Sequence, residues 1–346
     1  MPALPKTFPR PNARLVAVLG GSAVGAYAYR RYYEPQGHPA LNRSTFSPYT
    51  LVAKQPVSSS SAIFTLRKPN ATTDASATDE AWDKGVWSVQ VKQPQLQIAR
   101  SYTPLPAVGE GGAEVDKQDV QLFIRKEVGG EVSNYLHKLP LKSTVELRGP
   151  FAELEIPPAV REVLFLAGGT GIAPAIQVAH VLTQRGGAKM RILWATRKRD
   201  ECAGGESDHT VSDPPSGMMS GWKSFFAGKS NDLEPRGPDI NIKRGAVVRM
   251  LEDLKSEAGE GNLNVDFYVD EEHTFIKPAD VLKHIQGANS RGQSSPSDRM
   301  VLVSGPDGFI EYWVGKKTWK DGREAQGSLG GVLSQWDLRG WKVCKL

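Results

Sequence analysis

Two rhythms of apolar and polar positions divide the chain. From Phe46 to about residue 155 the apolar residues alternate in short runs: Tyr49–Lys54 (YTLVAK), Ala62–Arg67 (AIFTLR), Val86–Lys92 (VWSVQVK), Val120–Arg125 (VQLFIR) and Ser143–Arg148 (STVELR). A period of two marks strands with one buried face, and short strands closely spaced by turns predict an antiparallel barrel. Past Phe151–Pro158 continuous apolar runs alternate with helical periods. Val163–Ala167, Met190–Trp194, Asn264–Val269 and Met300–Ser304 read as buried strands; Ile172–Gln184, Ala246–Ala258 and Ala279–Gln286 read as helices. That alternation predicts a parallel sheet with helices on both faces.

Two segments break these rhythms. Residues 69–84 are polar and predict a surface insertion, and residues 201–245 are rich in Gly, Ser, Pro and Asp and predict a mobile loop. Within that loop Gly221–Phe226 (GWKSFF) places three aromatics in polar surroundings. Gly287–Asp298 is a second polar insertion.

The N-terminus follows a third pattern. Leu15–Tyr29 carries no charge, and a helix of that length reaches roughly 22 Å against a hydrocarbon core of ~30 Å. Arg30, Arg31, Tyr32 and Tyr33 at its end can extend the span by snorkelling and interfacial anchoring. Residues 1–33 contain Lys6, Arg10, Arg14, Arg30 and Arg31 and no acidic residue. Such a leader is predicted to be a mitochondrial address with a single anchoring helix at residues 15–33, followed by a linker at 34–45. The expected domains are then an antiparallel barrel at 46–155 and a parallel-sheet domain at 156–346.

Charge and cysteine content narrow the chemistry. The net charge of +5 is entirely the leader's, because removing its five basic residues leaves 38 basic against 38 acidic groups. A neutral body gives no reason to expect nucleic acid. Two cysteines, Cys202 and Cys344, cannot supply the four thiolates of an iron–sulfur cluster, and neither lies in a haem-attachment motif. No metal-ligand cluster is apparent.

Three short segments carry candidate chemistry. Arg100-Ser-Tyr-Thr-Pro-Leu-Pro106 ends a strand; Arg100 and Tyr102 share one face while Ser101 points to the other. A guanidinium fork, an aromatic plane and a hydroxyl suit a flat phosphate-bearing ligand, and equally suit an amphipathic edge strand. Gly129–Ser133 precedes a helix pattern at Asn134–Leu139, leaving backbone N–H groups for a phosphate or for an ordinary cap. Gly168-Gly-Thr-Gly-Ile-Ala-Pro174 follows a strand and opens a helix, with Pro174 where the dinucleotide fingerprint has its last glycine.

These segments, in this order and joined by Ser304-Gly-Pro-Asp-Gly-Phe309, resemble the ferredoxin–NADP reductase superfamily and within it the NADH–cytochrome b5 reductase branch. The resemblance covers about residues 46–346. The basic leader and the ending Gly340–Leu346 are similar to a narrower group, the fungal mitochondrial cytochrome c import factors. The resemblance implies FAD and NAD(P)H as cofactors. It assigns Arg100, Ser101, Tyr102 and Thr103 to the flavin strand, and Gly130, Glu131, Val132 and Ser133 to the pyrophosphate. Gly168, Gly169, Thr170 and Gly171, with Ser304, Gly305, Pro306 and Phe309, would receive NAD(P)H. It places Tyr102, Thr103 and Ser304 at the reacting atoms.

It further implies electron transfer to a haem protein, either cytochrome b5 or the haem-attachment machinery of cytochrome c. The implied location is the mitochondrial inner membrane with the body in the intermembrane space. An assembly factor that binds flavin with little turnover is the alternative. Ser304 stands where relatives carry cysteine, and Leu346 where many end in an aromatic. Thr196-Arg-Lys-Arg199 is either a site for the 2′-phosphate of NADPH or a solvated basic loop.

Overall fold

The computed structural model describes residues 41–68, 76–106, 119–209, 244–290, 298–320 and 323–346. The expected leader, the anchor, most of the linker and Gly221–Phe226 lie outside these residues. Among the described residues no helix is long and apolar enough to cross a membrane.

Seven strands form the first sheet: β1 (Ser47–Pro56), β2 (Ser61–Arg67), β3 (Gly85–Gln93), β4 (Ile98–Tyr102), β5 (Pro104–Leu105), β6 (Val120–Arg125) and β7 (Thr144–Glu155). They are antiparallel in the order β4-β3-β7-β1-β2-β6-β5. The two outer strands, β4 and β5, are consecutive in the chain and separated only by Thr103. The sheet therefore curls round until its edges meet at that residue, which removes most of the open edge. Alternate apolar side chains, among them Leu51, Phe64, Leu66, Val89, Leu122 and Leu147, fill the interior.

The barrel begins earlier than the strand pattern indicates. Leu41 is buried in its core, the carbonyl of Asn42 accepts the N–H of Gly149 at 2.9 Å, and Arg43 Nε donates to the carbonyl of Pro150 at 2.7 Å. Part of the polar insertion also departs from expectation by forming helix α1 (Ser76–Lys84). Its Trp82 packs edge-on to Trp87 at 5.1 Å and to His180 at 5.5 Å. One aromatic anchor overrides the polarity of the segment. Helix α2 (Glu131–Lys138) covers the barrel with Val132 and Leu136.

The second sheet is wholly parallel: β8 (Glu162–Gly168), β9 (Lys189–Thr196), β10 (Leu263–Val269), β11 (Arg299–Ser304) and β14 (Lys342–Lys345), in the order β10-β9-β8-β11-β14. A small hairpin, β12 (Thr318–Lys320) and β13 (Arg323–Ala325), stands apart. Helices α3 (Ile172–Arg185), α4 (Ala246–Ala258), α5 (Pro278–Ser290) and α6 (Asp307–Val314) connect the strands. Strand β14 and helix α6 have no counterpart in the sequence-based expectation.

Helix α3 is buried along both faces through Leu182, although its sequence suggests one apolar stripe. It lies between the sheet and the barrel: Ile63, Val86, Leu105 and Phe123 of the barrel share one core with Ile172, Ile176 and the strands β8 and β9. The start of the long insertion is ordered too. The N–H of Asp208 donates to the carbonyl of Val265 at 3.1 Å, and its carboxylate accepts the N–H of Val265 at 2.7 Å. Ser207 Oγ accepts the N–H of Phe267 at 2.9 Å. Side chains here stand in for a neighbouring strand and cover the edge of β10.

Candidate functional site

In a parallel sheet the strand order reverses where a chain crosses from one side of its first strand to the other, and ligands bind at the carboxyl ends flanking that point. Here the reversal falls between β8 and β11. The turn after β8 is a single helical turn, Gly169–Gly171, running directly into α3. The segment after β11 is Ser304-Gly305-Pro306, leading into α6. The two pack closely enough to dictate residue type. A Cβ on Gly171 would run into the carbonyl of Ser304, and the ring of Phe309 lies where a Cβ on Gly168 would need room. The glycine turn is positioned from beneath by Trp194, whose Nε1–H donates to the carbonyl of Gly169 at 2.9 Å. Thr170 is half-exposed, while Ser304 is buried at its strand end.

The second cluster lies on the barrel. Strand β4 pairs with β3, setting Tyr102 opposite Val89 and Arg100 opposite Val91. Arg100 is exposed and comes to 3.6 Å from the carboxylate of Glu131. Strand β4 and the start of α2, separate in sequence, are thus brought to one place. Helix α2 has Gly130 at its N-cap and no side-chain cap. Ser133 instead turns inward: its hydroxyl accepts the N–H of Glu127 at 3.2 Å and donates to the carbonyl of Gly130 at 3.3 Å. Tyr102 packs its ring against the barrel core, and burial pushes its phenol up to about 12, with the Arg100 charge acting the other way. Ser101 is exposed, as Arg100 is, and Val132 is in the core.

The two clusters are linked by residues that pattern reading passed over. Gln177 of α3 is fully buried; its Oε1 accepts the N–H of Trp87 at 2.9 Å and its Nε2–H donates to the carbonyl of Pro104 at 2.9 Å. Asp200, in the helical turn after β9, accepts the N–H of Ser59 at 2.9 Å. Its neighbour Glu201 forms a buried ion pair with Arg125 at the end of β6. Burial pushes the Glu201 carboxyl up, against the pull of the Arg125 charge. A polar residue within an apolar helical run was the available signal for Gln177. Nothing local marks Arg125 or Glu201.

These features fit an FAD molecule and a pyridine dinucleotide by donor chemistry. The uncapped N-terminus of α2 beside a guanidinium suits a pyrophosphate. The glycine turn, open to backbone approach at the sheet's switch point, suits a dinucleotide.

Residues 48–156 match the oxidoreductase FAD-binding domain model. Three relatives extend the likeness. The chain is 32% identical over 161 residues to an uncharacterized FAD-binding protein of Schizosaccharomyces pombe, covering 46% of this chain and 54% of that one. It is 32% identical over 145 residues to the cytochrome c mitochondrial import factor of Saccharomyces cerevisiae, covering 39% of each. It is 25% identical over 245 residues to NADH-cytochrome b5 reductase 2 of Candida glabrata, covering 68% of this chain and 63% of that protein. Each match spans less than two thirds of the relative's own length. Among the described residues no cluster of three or more His, Cys, Asp or Glu is placed to hold a metal ion.

Proposed function

We propose that the chain is an FAD-dependent oxidoreductase that takes electrons from NADH and passes them singly to a haem-protein acceptor. The observation that carries this reading is the junction itself. A barrel that matches the FAD-binding domain model is followed by a parallel sheet whose switch-point glycine turn lies against Arg125 of the barrel, and Gln177 ties helix α3 to Pro104, just past Tyr102 and Thr103. When bound, the flavin accepts a hydride equivalent and releases single electrons, a chemistry no side chain here supplies.

The residues of the chain bind and orient. Arg100 and the N–H groups at Gly130–Ser133 would hold the pyrophosphate, with Tyr102 and Thr103 beside the flavin ring. Gly168–Gly171 with Thr170 would receive the dinucleotide, and Ser304, Gly305, Pro306 and Phe309 would hold its nicotinamide end. Ser304 provides a hydrogen-bonding hydroxyl in a water-poor position.

NADH is favoured over NADPH by the surroundings of the basic cluster after β9. Arg199 forms an ion pair with Glu272, and its N–H donates to Glu271 at 2.6 Å. The N–H of Glu271 in turn donates to the carbonyl of Arg197 at 3.2 Å. An acidic turn bonded to the basic one opposes a 2′-phosphate.

The acceptor class and the location rest on the relatives' names: a reductase of cytochrome b5 and a mitochondrial import factor for cytochrome c. With the acid-free leader at residues 1–33, they support an inner-membrane protein whose body faces the intermembrane space. Anaerobic addition of NADH to the FAD-loaded protein is expected to bleach the flavin spectrum within seconds, and NADPH to do so more slowly. Bound flavin that neither nucleotide bleaches would leave the second reading, an assembly factor with little turnover, which Ser304 favours.

A further inference from the structure

Arg125 is the most constrained charged group at the junction. Its side chain is 8% exposed and that of Glu201 is 3% exposed. A Cβ on Gly169, whose φ is +54°, would stand 3.0–3.3 Å from three atoms of the guanidinium, so the plane of Arg125 rests on the glycine turn. Its buried Nε–H has no partner among the described residues. A buried guanidinium with a spare donor, lying on a dinucleotide turn, has room in its bonding for a second acceptor.

We propose that Glu201 is an internal anion on Arg125, exchanged for a phosphate of the pyridine dinucleotide when the reductant reaches the Gly168–Gly171 turn. This inference rests on the function proposed above and adds a control on it. A buried charge stripped of its partner is strongly unfavourable, and replacing one anion by another avoids that state. A phosphate also offers oxygens to two guanidinium donors at once, whereas Nη2 alone is engaged with Glu201. The short turn at Arg199–Cys202 is also tethered by Asp200 to Ser59 and Arg199 to Glu272, so it keeps its place in the exchange but opens more readily with one tether lost. Only the Glu201 side chain has to move. A resting state held by an internal competitor lowers apparent affinity by the fraction of molecules that are open.

The test uses the full FAD-loaded protein and oxidised NAD⁺, which binds without turnover. Titration calorimetry is expected to show Glu201→Gln binding NAD⁺ about tenfold tighter than wild type, and the gain should vanish in the double variant Glu201→Gln/Arg125→Gln. Unchanged or weaker binding by a flavin-replete Glu201→Gln protein overturns the exchange and leaves the reductase reading standing. Absence of NAD⁺ binding by both wild type and the single variant overturns both. Hydrogen exchange on the wild type gives an independent measure, needing no variant to fold. NAD⁺ should speed exchange of the amides at residues 199–202 if Glu201 is released, and slowed or unchanged exchange there overturns the proposal.

Discussion

Gln177 donates from Nε2 to the carbonyl of Pro104 over 2.9 Å, with both groups buried. Pro104 opens β5, one residue past the seam at Thr103, so this bond fixes the barrel seam against the helix that the glycine turn begins. The other end of the same carboxamide accepts from Trp87. One side chain satisfies two strands of one domain from the other, and no apolar residue of similar size can replace it.

Gln177→Leu would leave the N–H of Trp87 and the carbonyl of Pro104 buried without partners. Each orphaned group costs roughly 1–3 kcal/mol, about 2–6 kcal/mol for the pair, so a fall in Tm of roughly 3–10 °C is expected at an unfolding entropy of ~2.1 cal/mol/K per residue over about 300 residues. Thermal melting followed by flavin fluorescence measures it. A melting curve unchanged from wild type would show that the junction is held by apolar packing alone.

Arg100→Ala should release FAD more readily. A charge-assisted bond to a pyrophosphate contributes roughly 1.5–3 kcal/mol, so the FAD dissociation constant is expected to rise by about 10- to 150-fold. Dialysis against graded FAD measures the change. Equal retention by the variant would mean that Arg100 serves only its exposed contact with Glu131.

Stability should decline at alkaline pH through the buried tyrosines. A phenol in an unfolded chain ionises near 10, whereas burial holds Tyr102 up to about 12, as it does Tyr49 and Tyr268. Between those values the unfolded chain has released a proton that the folded one retains. The contribution is therefore complete below pH ~10 and is lost as pH rises through ~12. Melting temperature recorded from pH 9 to 12 should fall less steeply in Tyr102→Phe than in wild type. Parallel curves would place the Tyr102 hydroxyl in contact with water.

Much of this architecture was legible in local pattern. Alternation over 46–155 and the strand–helix rhythm beyond it are properties of neighbouring residues, because a half-buried strand and an amphipathic helix each impose their own period. The segments Arg100–Thr103, Gly168–Gly171 and Ser304–Gly305 could be found for a related reason: a turn admitting little beyond glycine, or a strand end with an arginine fork, constrains its own few residues. Composition alone placed the excess positive charge in residues 1–33.

Tertiary structure decided what meets what. Helix α1 forms in a polar segment because Trp82 finds Trp87 and His180, and α3 is buried on both faces because the barrel covers the side its sequence leaves for solvent. Gln177 binds Pro104 across 73 positions and Arg125 meets Glu201 across 76. No period or motif encodes such pairs, since the desolvation that makes them matter exists only once two domains close around them.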